Sequence, residues 1–268
     1  MRSILLHIHS DPGQDSRLQA AAGLARLFEG QLTCVQPIIY PAYVMADPMA
    51  YAGTPALFEA IETTAREARR SIEVDLARGA VAWEWLEVPG DAATAMVSES
   101  RLADLIVLSQ TEHGASLDML SIVGDVAIHA RAPVLAVPRG DQAAFDAGRP
   151  ALVAWNGSHE AANALRASVP LLAHAEAVHL VTVGNRPEAH DAARVVAYLA
   201  RHGIAVQVHE RPHRDRSIAE TLFDMGREVE AGYLVLGAYG HSRFRERLIG
   251  GVTRWMLDHS TIPLFLAH

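Results

Sequence analysis

The sequence predicts an α/β protein made of two doubly wound, five-stranded parallel-sheet domains in tandem, each with strand order 3-2-1-4-5. Three observations carry this reading. Short β-rich runs alternate with longer helical patterns, as βαβ units require. The same order of elements runs twice along the 268 residues, which points to internal duplication. With 50% hydrophobic residues the chain can bury a substantial core, and its length suits two domains of roughly 100–200 residues each.

In the first half, strands are expected at Ser3–His9, Leu32–Pro37, Val81–Val88, Asp104–Ser109 and Pro133–Pro138. Helices are expected over Gln14–Glu29, Thr54–Arg78, Ala92–Arg101 and Leu117–Ala130. In the first of these, Leu18, Ala21, Ala22, Ala25 and Phe28 share one face at helical spacing. The second half repeats the pattern with strands at Ala151–Trp155, Ala177–Val183, Ala205–Glu210, Tyr233–Gly237 and Pro263–Ala267. Its helices cover His159–Ala173, Glu188–His202, Asp215–Glu230 and Gly251–Ser260.

The two copies align residue against residue. Asp104-Leu105-Ile106-Val107-Leu108 matches Gly232-Tyr233-Leu234-Val235-Leu236, and His129-Ala130-Arg131-Ala132-Pro133 matches His259-Ser260-Thr261-Ile262-Pro263. The domains are therefore expected at residues 1–139 and 150–268, joined by a short linker in Arg139–Pro150 that brings the copies into contact. The offset falls from about 147 at the first strand to about 128–130 from the fourth, so the first copy holds roughly 18 extra residues. Ile38–Pro55, rich in proline and tyrosine, is their natural place, as a surface loop.

Composition excludes several classes. Lys plus Arg total 23 against 31 Asp plus Glu, a net charge of −8, which is not the footprint of a nucleic-acid binder. The N-terminal apolar run is too short for a signal peptide and no stretch reaches the roughly 18 apolar residues of a membrane span, so a cytoplasmic protein is expected. Cys34, the only cysteine, can form no internal disulfide and reads as a buried thiol.

The most informative segment runs from Leu236-Gly237-Ala238-Tyr239-Gly240 through His241, Arg243 and Gly250 to Gly251-Val252-Thr253. It follows an apolar strand and ends where a helical pattern begins. That is the setting of a phosphate-binding loop: glycines let backbone N–H groups approach an anion, and the following helix N-terminus supplies unpaired donors and the positive dipole end. In a Rossmann-like sheet the first and fourth strands are neighbours at the switch point, so Asn156, ending the first strand, and Gly237, ending the fourth, should meet at one crevice.

The spacing of Gly237, Gly240 and Gly250 resembles the G-x2-G-x9-G-S/T motif of the universal stress protein family, with Gly251 where that motif carries Ser or Thr. Ala154-Trp155-Asn156-Gly157-Ser158-His159-Glu160 resembles the family's first strand and turn. The resemblance, which covers nearly the whole chain, implies a stress-response protein that binds ATP or AMP, with magnesium left open. It implies contacts from Asn156 to adenine, where the family uses Asp, and from Gly237, Gly240, Gly250, Gly251, Val252 and Thr253 to the phosphates, with His241 and Arg243 adding attraction. The loss of a hydroxyl at Gly251 removes one hydrogen bond. Asn156-Gly157-Ser158 also reads as a plain turn and helix cap. Family dimers pair their last strands, so Pro133–Pro138 and Pro263–Ala267 should adjoin in an intramolecular pseudo-dimer, which leaves room for a homodimer of the whole chain.

The first copy has lost the motif. Ser109 replaces Gly237, Leu120 stands where Gly250 stands, and Glu112 adds negative charge, so this copy is not expected to bind nucleotide in the family manner. No catalytic set appears: there is no nucleophile elbow, HExxH or paired-carboxylate motif. His7 with His9, and His209 with His213, lack further ligands at metal spacing. Trp83, Trp85 and Trp255 read as core residues. Three functions stay open: nucleotide binding by the second domain, a nucleotide-independent protein-interaction module, and a nucleotide-dependent enzyme.

Overall fold

The computed structural model describes residues 1–40, 54–110, 122–140, 145–184, 191–212, 216–240 and 251–268. Its first half runs β1 (Ser3–His7), α1 (Gln14–Leu27), β2 (Gln31–Ile38), α2 (Thr54–Arg78), β3 (Ala82–Pro89), α3 (Ala92–Glu99), β4 (Leu105–Ser109), α4 (Ile122–His129) and β5 (Val134–Val137). The second half runs β6 (Ala151–Ala154), α5 (His159–Leu172), β7 (Val178–Val183), α6 (Ala192–Ala200), β8 (Val206–Arg211), α7 (Ile218–Glu228), β9 (Tyr233–Gly237), α8 (Gly251–His259) and β10 (Leu264–Ala267).

Local chemistry sets several of these boundaries. Asp91 accepts from the Thr94 N–H at 2.9 Å and starts α3. Ser217 and Glu220 form a reciprocal capping box that starts α7. Helix α3 stops at Glu99 and tightens into a 3₁₀ turn over Ser100–Leu102, two residues short of the sequence expectation. Helices α6 and α7 are also shorter than expected within the described residues, whereas α2 has the expected bounds. The expected loop within Ile38–Pro55 lies mostly outside the described residues, as do residues 117–121 of the expected helix before α4.

All ten strands form one sheet in the order β3-β2-β1-β4-β5-β10-β9-β6-β7-β8. Each half is parallel and reads 3-2-1-4-5 in its own numbering. The halves meet at β5 and β10, which pair antiparallel with Phe265 opposite Leu135. This is the pairing of last strands that the sequence led us to expect, and it makes a single sheet of the two. Gln110 ties the seam further by donating from Nε2 to the Ile262 carbonyl at 2.8 Å.

The inner strands are apolar on both faces, as a sheet covered by helices on both sides requires. Ile4, Leu6, Val107, Val153, Leu180, Val235 and Phe265 face one layer with α1, α2, α5 and α6. Leu5, Ile106, Leu152, Val181, Leu234 and Leu266 face the other layer with α3, α4, α7 and α8. Trp83 and Trp85 pack against the core as expected but stay half-buried, because β3 is the outermost strand. There Trp85 donates to Gln36 Oε1 at 3.2 Å and lies under Arg69. Trp255 is half-buried too, stacked on His259 with ring centroids 4.2 Å apart. The linker packs on the second half, with Phe145 edge-on to Tyr233 at 5.6 Å and Gly148 accepting from the Glu176 N–H at 2.8 Å.

His7 ends β1 and is buried; burial, then the charges of Arg17 and His9, push its imidazole down to about 3 from 6.5. The unfolded chain therefore takes up a proton near pH 6.5 that the folded chain refuses, so stability is lost as pH falls below 6.5, by up to about 1.4 kcal/mol per pH unit. We predict that urea unfolding shows about 1–2 kcal/mol less pH-dependent loss between pH 6.5 and 5 in His7→Gln than in the parent. Identical pH slopes for the two proteins would contradict this.

Candidate functional site

In a doubly wound sheet the strand order reverses beside the first strand, and a crevice opens beyond the C-terminal ends of the strands there. This chain has two such places, at β1/β4 and at β6/β9. Because β5 and β10 run antiparallel, the two crevices lie at opposite ends of the sheet.

The second crevice brings together Asn156, Gly237, Gly240, Gly251, Val252 and Thr253 from segments about 80 residues apart. His241, Arg243 and Gly250 lie outside the described residues. Two helix N-termini, those of α5 and α8, face this space, each with backbone N–H groups that have no partner within the helix. Val181, Val183 and Leu222 line an apolar part of it.

The turn after β6 is built from Asn156, Gly157 and Ser158. Asn156 Oδ1 accepts from the Ser158 N–H at 3.0 Å, Gly157 takes a φ of +75°, and Ser158 Oγ accepts from the Ala161 N–H at 3.1 Å to cap α5. Asn156 thus serves as turn and as crevice wall together, with its Nδ2 donor and a second lone pair left over.

The glycines at the end of β9 have a reason the sequence did not disclose. A Cβ on Gly237 would stand 2.5 Å from the Ala161 backbone nitrogen and 2.6 Å from the Glu160 carbonyl carbon, so α5 can approach only a glycine. At Gly240 it would stand 2.7 Å from Glu160 Oε2. A bulky residue at 237 would therefore break strand–helix packing whether or not a ligand binds. Gly251, the first residue of α8, is the opposite case: its Cβ would meet nothing within 4 Å among the described residues.

Thr253 is buried, and its Oγ1 accepts from the Tyr239 N–H at 3.4 Å, so it anchors α8 to the end of β9. Tyr239 itself was not singled out from the sequence. It holds φ at 55°, a left-handed conformation unusual for a side-chain-bearing residue, and burial raises its phenol to about 12.

The first crevice repeats the turn with different contents. Asp11 Oδ1 accepts from the Gly13 N–H at 2.6 Å, as Asn156 Oδ1 accepts from Ser158, so Asp11 is the turn counterpart of Asn156, although strand register aligns Asn156 with His9. Helices α1 and α5 both have 14 residues, which aligns Gly13 with Ser158 and Arg17 with Ala162. Arg17 is 1% exposed and fills the space between Asp11 and Ser109. The signal was present in the sequence: Arg17 falls on the same apolar stripe as Leu18, Ala21 and Leu24, where a charge needs a partner. Glu112 and Leu120 lie outside the described residues.

Among the described residues no group of three or more His, Cys, Asp or Glu could hold a metal ion. The histidines that do meet are His179 and His209, with Nδ1 and Nε2 2.9 Å apart, while His7 and His9 stack; His213 lies outside the described residues. Cys34 is fully buried, and burial followed by the Glu84 charge pushes its thiol up to about 12, which leaves it unreactive. No described helix is long and apolar enough to cross a membrane.

No family model matches the sequence, and no curated protein matches it. Solved structures do resemble the fold. A universal stress protein from Archaeoglobus fulgidus DSM 4304 superposes with a TM-score of 0.78 at 16% identity, over 99% of this chain and 95% of that one. A provisionally assigned universal stress protein from Pseudomonas aeruginosa UCBPP-PA14 gives 0.63 at 15% identity, over 100% of this chain and 93% of that one. A functionally unknown Pseudomonas aeruginosa PAO1 protein gives 0.63 at 15% identity, over 100% and 92%. At such identities the likeness concerns architecture alone, and that conclusion is firm: along its whole length this chain has the fold of the universal stress proteins.

Proposed function

We propose that the chain is a cytoplasmic stress-response protein that binds an adenine nucleotide, ATP or AMP, in the crevice at β6 and β9. Residues 1–139 and 150–268 act as two domains, of which the second carries the ligand. The observation that supports this is convergence: Asn156, Gly237, Gly240 and Gly251 line one crevice with two helix N-termini on its rim and apolar Val181, Val183 and Leu222 beside them. The apolar part suits a base, and the helix N-termini suit phosphates. In this reading His241, Arg243 and Gly250 complete the phosphate side, Val252 and Thr253 form its wall, and magnesium accompanies ATP. The nucleotide serves as a conformational ligand or is turned over slowly; among the described residues no nucleophile and base stand together in the crevice.

Isothermal titration with ATP, at fixed salt and magnesium, tests the reading; about one nucleotide per chain is expected. Two equivalent sites would place a working site in the first half as well, and no binding by folded protein would favour a nucleotide-independent interaction module.

A second prediction uses the open space at Gly251. Gly251→Ser adds a hydroxyl at the first turn of α8 with no neighbour to displace among the described residues. One neutral hydrogen bond, about 0.5–1.5 kcal/mol, would tighten ATP about 2- to 12-fold. An unchanged or weaker affinity would mean that the phosphates do not reach α8.

A further inference from the structure

The first crevice is not vacant space that lost its function; it has an occupant. Arg17 reaches from α1 into the space beyond β1 and β4, and every arm of its guanidinium meets an acceptor. Nε donates to the His7 carbonyl at 3.1 Å. Nη1 donates to the Asp11 carboxylate, 3.0 Å from each oxygen, and to Ser109 Oγ at 2.6 Å. Nη2 donates to the His9 carbonyl at 2.9 Å and to Gln14 Oε1 at 3.0 Å. These acceptors come from three places: the end of β1, the turn into α1, and the end of β4.

Such an arrangement is specific for a planar fork of donors. A guanidinium carries five N–H groups in one plane, and this ring of carbonyl, carboxylate, hydroxyl and amide oxygens matches them. An ammonium, with three donors on a compact point charge, could not span it. The backbone is adapted to the arrangement as well. Gly13 must lack a side chain because a Cβ there would stand 2.3 Å from Ser109 Oγ, the hydroxyl that Arg17 contacts. In the second crevice the corresponding helix position is Ala162, which cannot reach across, and Asn156 in place of Asp11 carries no charge to hold a cation.

We propose that the first crevice is a guanidinium-binding site filled by the chain's own Arg17, a built-in ligand that closes this half to exchangeable ones. Asp11, His7, His9, Gln14 and Ser109 form the site, and the ligand class they select is a planar cation with several N–H donors. Burial lowers the Arg17 pKa, and the Asp11 contacts oppose that shift. At Asp11 burial acts to raise the pKa, but hydrogen bonds and charge from Arg17 outweigh it, so the carboxyl stays below its ordinary value. Both groups are therefore charged at neutral pH. This proposal stands independently of nucleotide binding in the second half.

The test is chemical rescue in the full chain. Arg17→Ala leaves a guanidinium-shaped hole lined by a half-buried carboxylate and should lower Tm by on the order of 10 °C. Methylguanidinium at low millimolar concentration should then raise the variant's Tm saturably, by about 3 °C at ten times its Kd, and leave the parent's Tm flat. Methylammonium at equal ionic strength should do nothing, and Arg17→Lys should not restore the parental Tm. Equal responses of parent and variant to methylguanidinium, or none in a folded variant, would overturn the proposal. If Arg17→Ala does not fold, the parent protein decides the matter by ¹⁵N NMR of its arginines. One guanidinium with resolved, slowly exchanging Nη protons, lost in Arg17→Lys, is expected; fully averaged Nη signals from every arginine would overturn the proposal.

Discussion

The antiparallel pairing of Val134–Val137 with Leu264–Ala267 is the contact on which the architecture rests. Each of these strands is buried along its whole length, and each would otherwise be an apolar sheet edge with unpaired backbone groups, open to association with other chains. Joining them turns two edges into the middle of one sheet. Because the join is antiparallel, it also sends the C-terminal ends of the two parallel halves in opposite directions. The crevices that those ends create cannot share residues, and each is free to acquire its own chemistry.

They have done so from one template. Both follow a first strand with an Asx turn into a 14-residue helix, and both place the end of the fourth strand against that helix's first turn. At that contact the two halves place their glycines on opposite partners. In the second half the strand yields, at Gly237, and Ser158 caps the helix. In the first half the helix yields, at Gly13, and the strand carries Ser109. The exchange replaces a capped, open crevice by one with a hydroxyl that holds Arg17.

Much of the fold was legible because its signals are local. The alternation of apolar strands with helical stripes gave the element order, and Tyr233–Gly237 and Thr54–Arg78 have the expected bounds. Helix ends were less legible where frayed or tightened turns decide them, as at Glu99. The tryptophans of β3 do pack against the core but stay half-buried, since aromatic content does not tell an outer strand from a central one. Motif spacing, family resemblance and the switch-point rule together singled out Asn156, Gly237, Gly240 and Gly251, which line one crevice, but did not disclose the packing role of each.

The sequence by itself determined the repeated α/β pattern, the last-strand pairing implied by family resemblance, and the residues that gather at the second crevice. The first follows from periodicity, the second from the resemblance alone, and the third from motif spacing and the rule that places ligand crevices where strand order reverses. Only the tertiary structure decided that Gly237 is a glycine for the sake of α5, that Thr253 is spent on Tyr239, and that Arg17 closes the first crevice. Each of these depends on distances between segments far apart in the chain, up to 92 residues for Arg17 and Ser109. Steric exclusion and hydrogen bonding act over a few ångströms, and no spacing along the chain reports which distant atoms come that close.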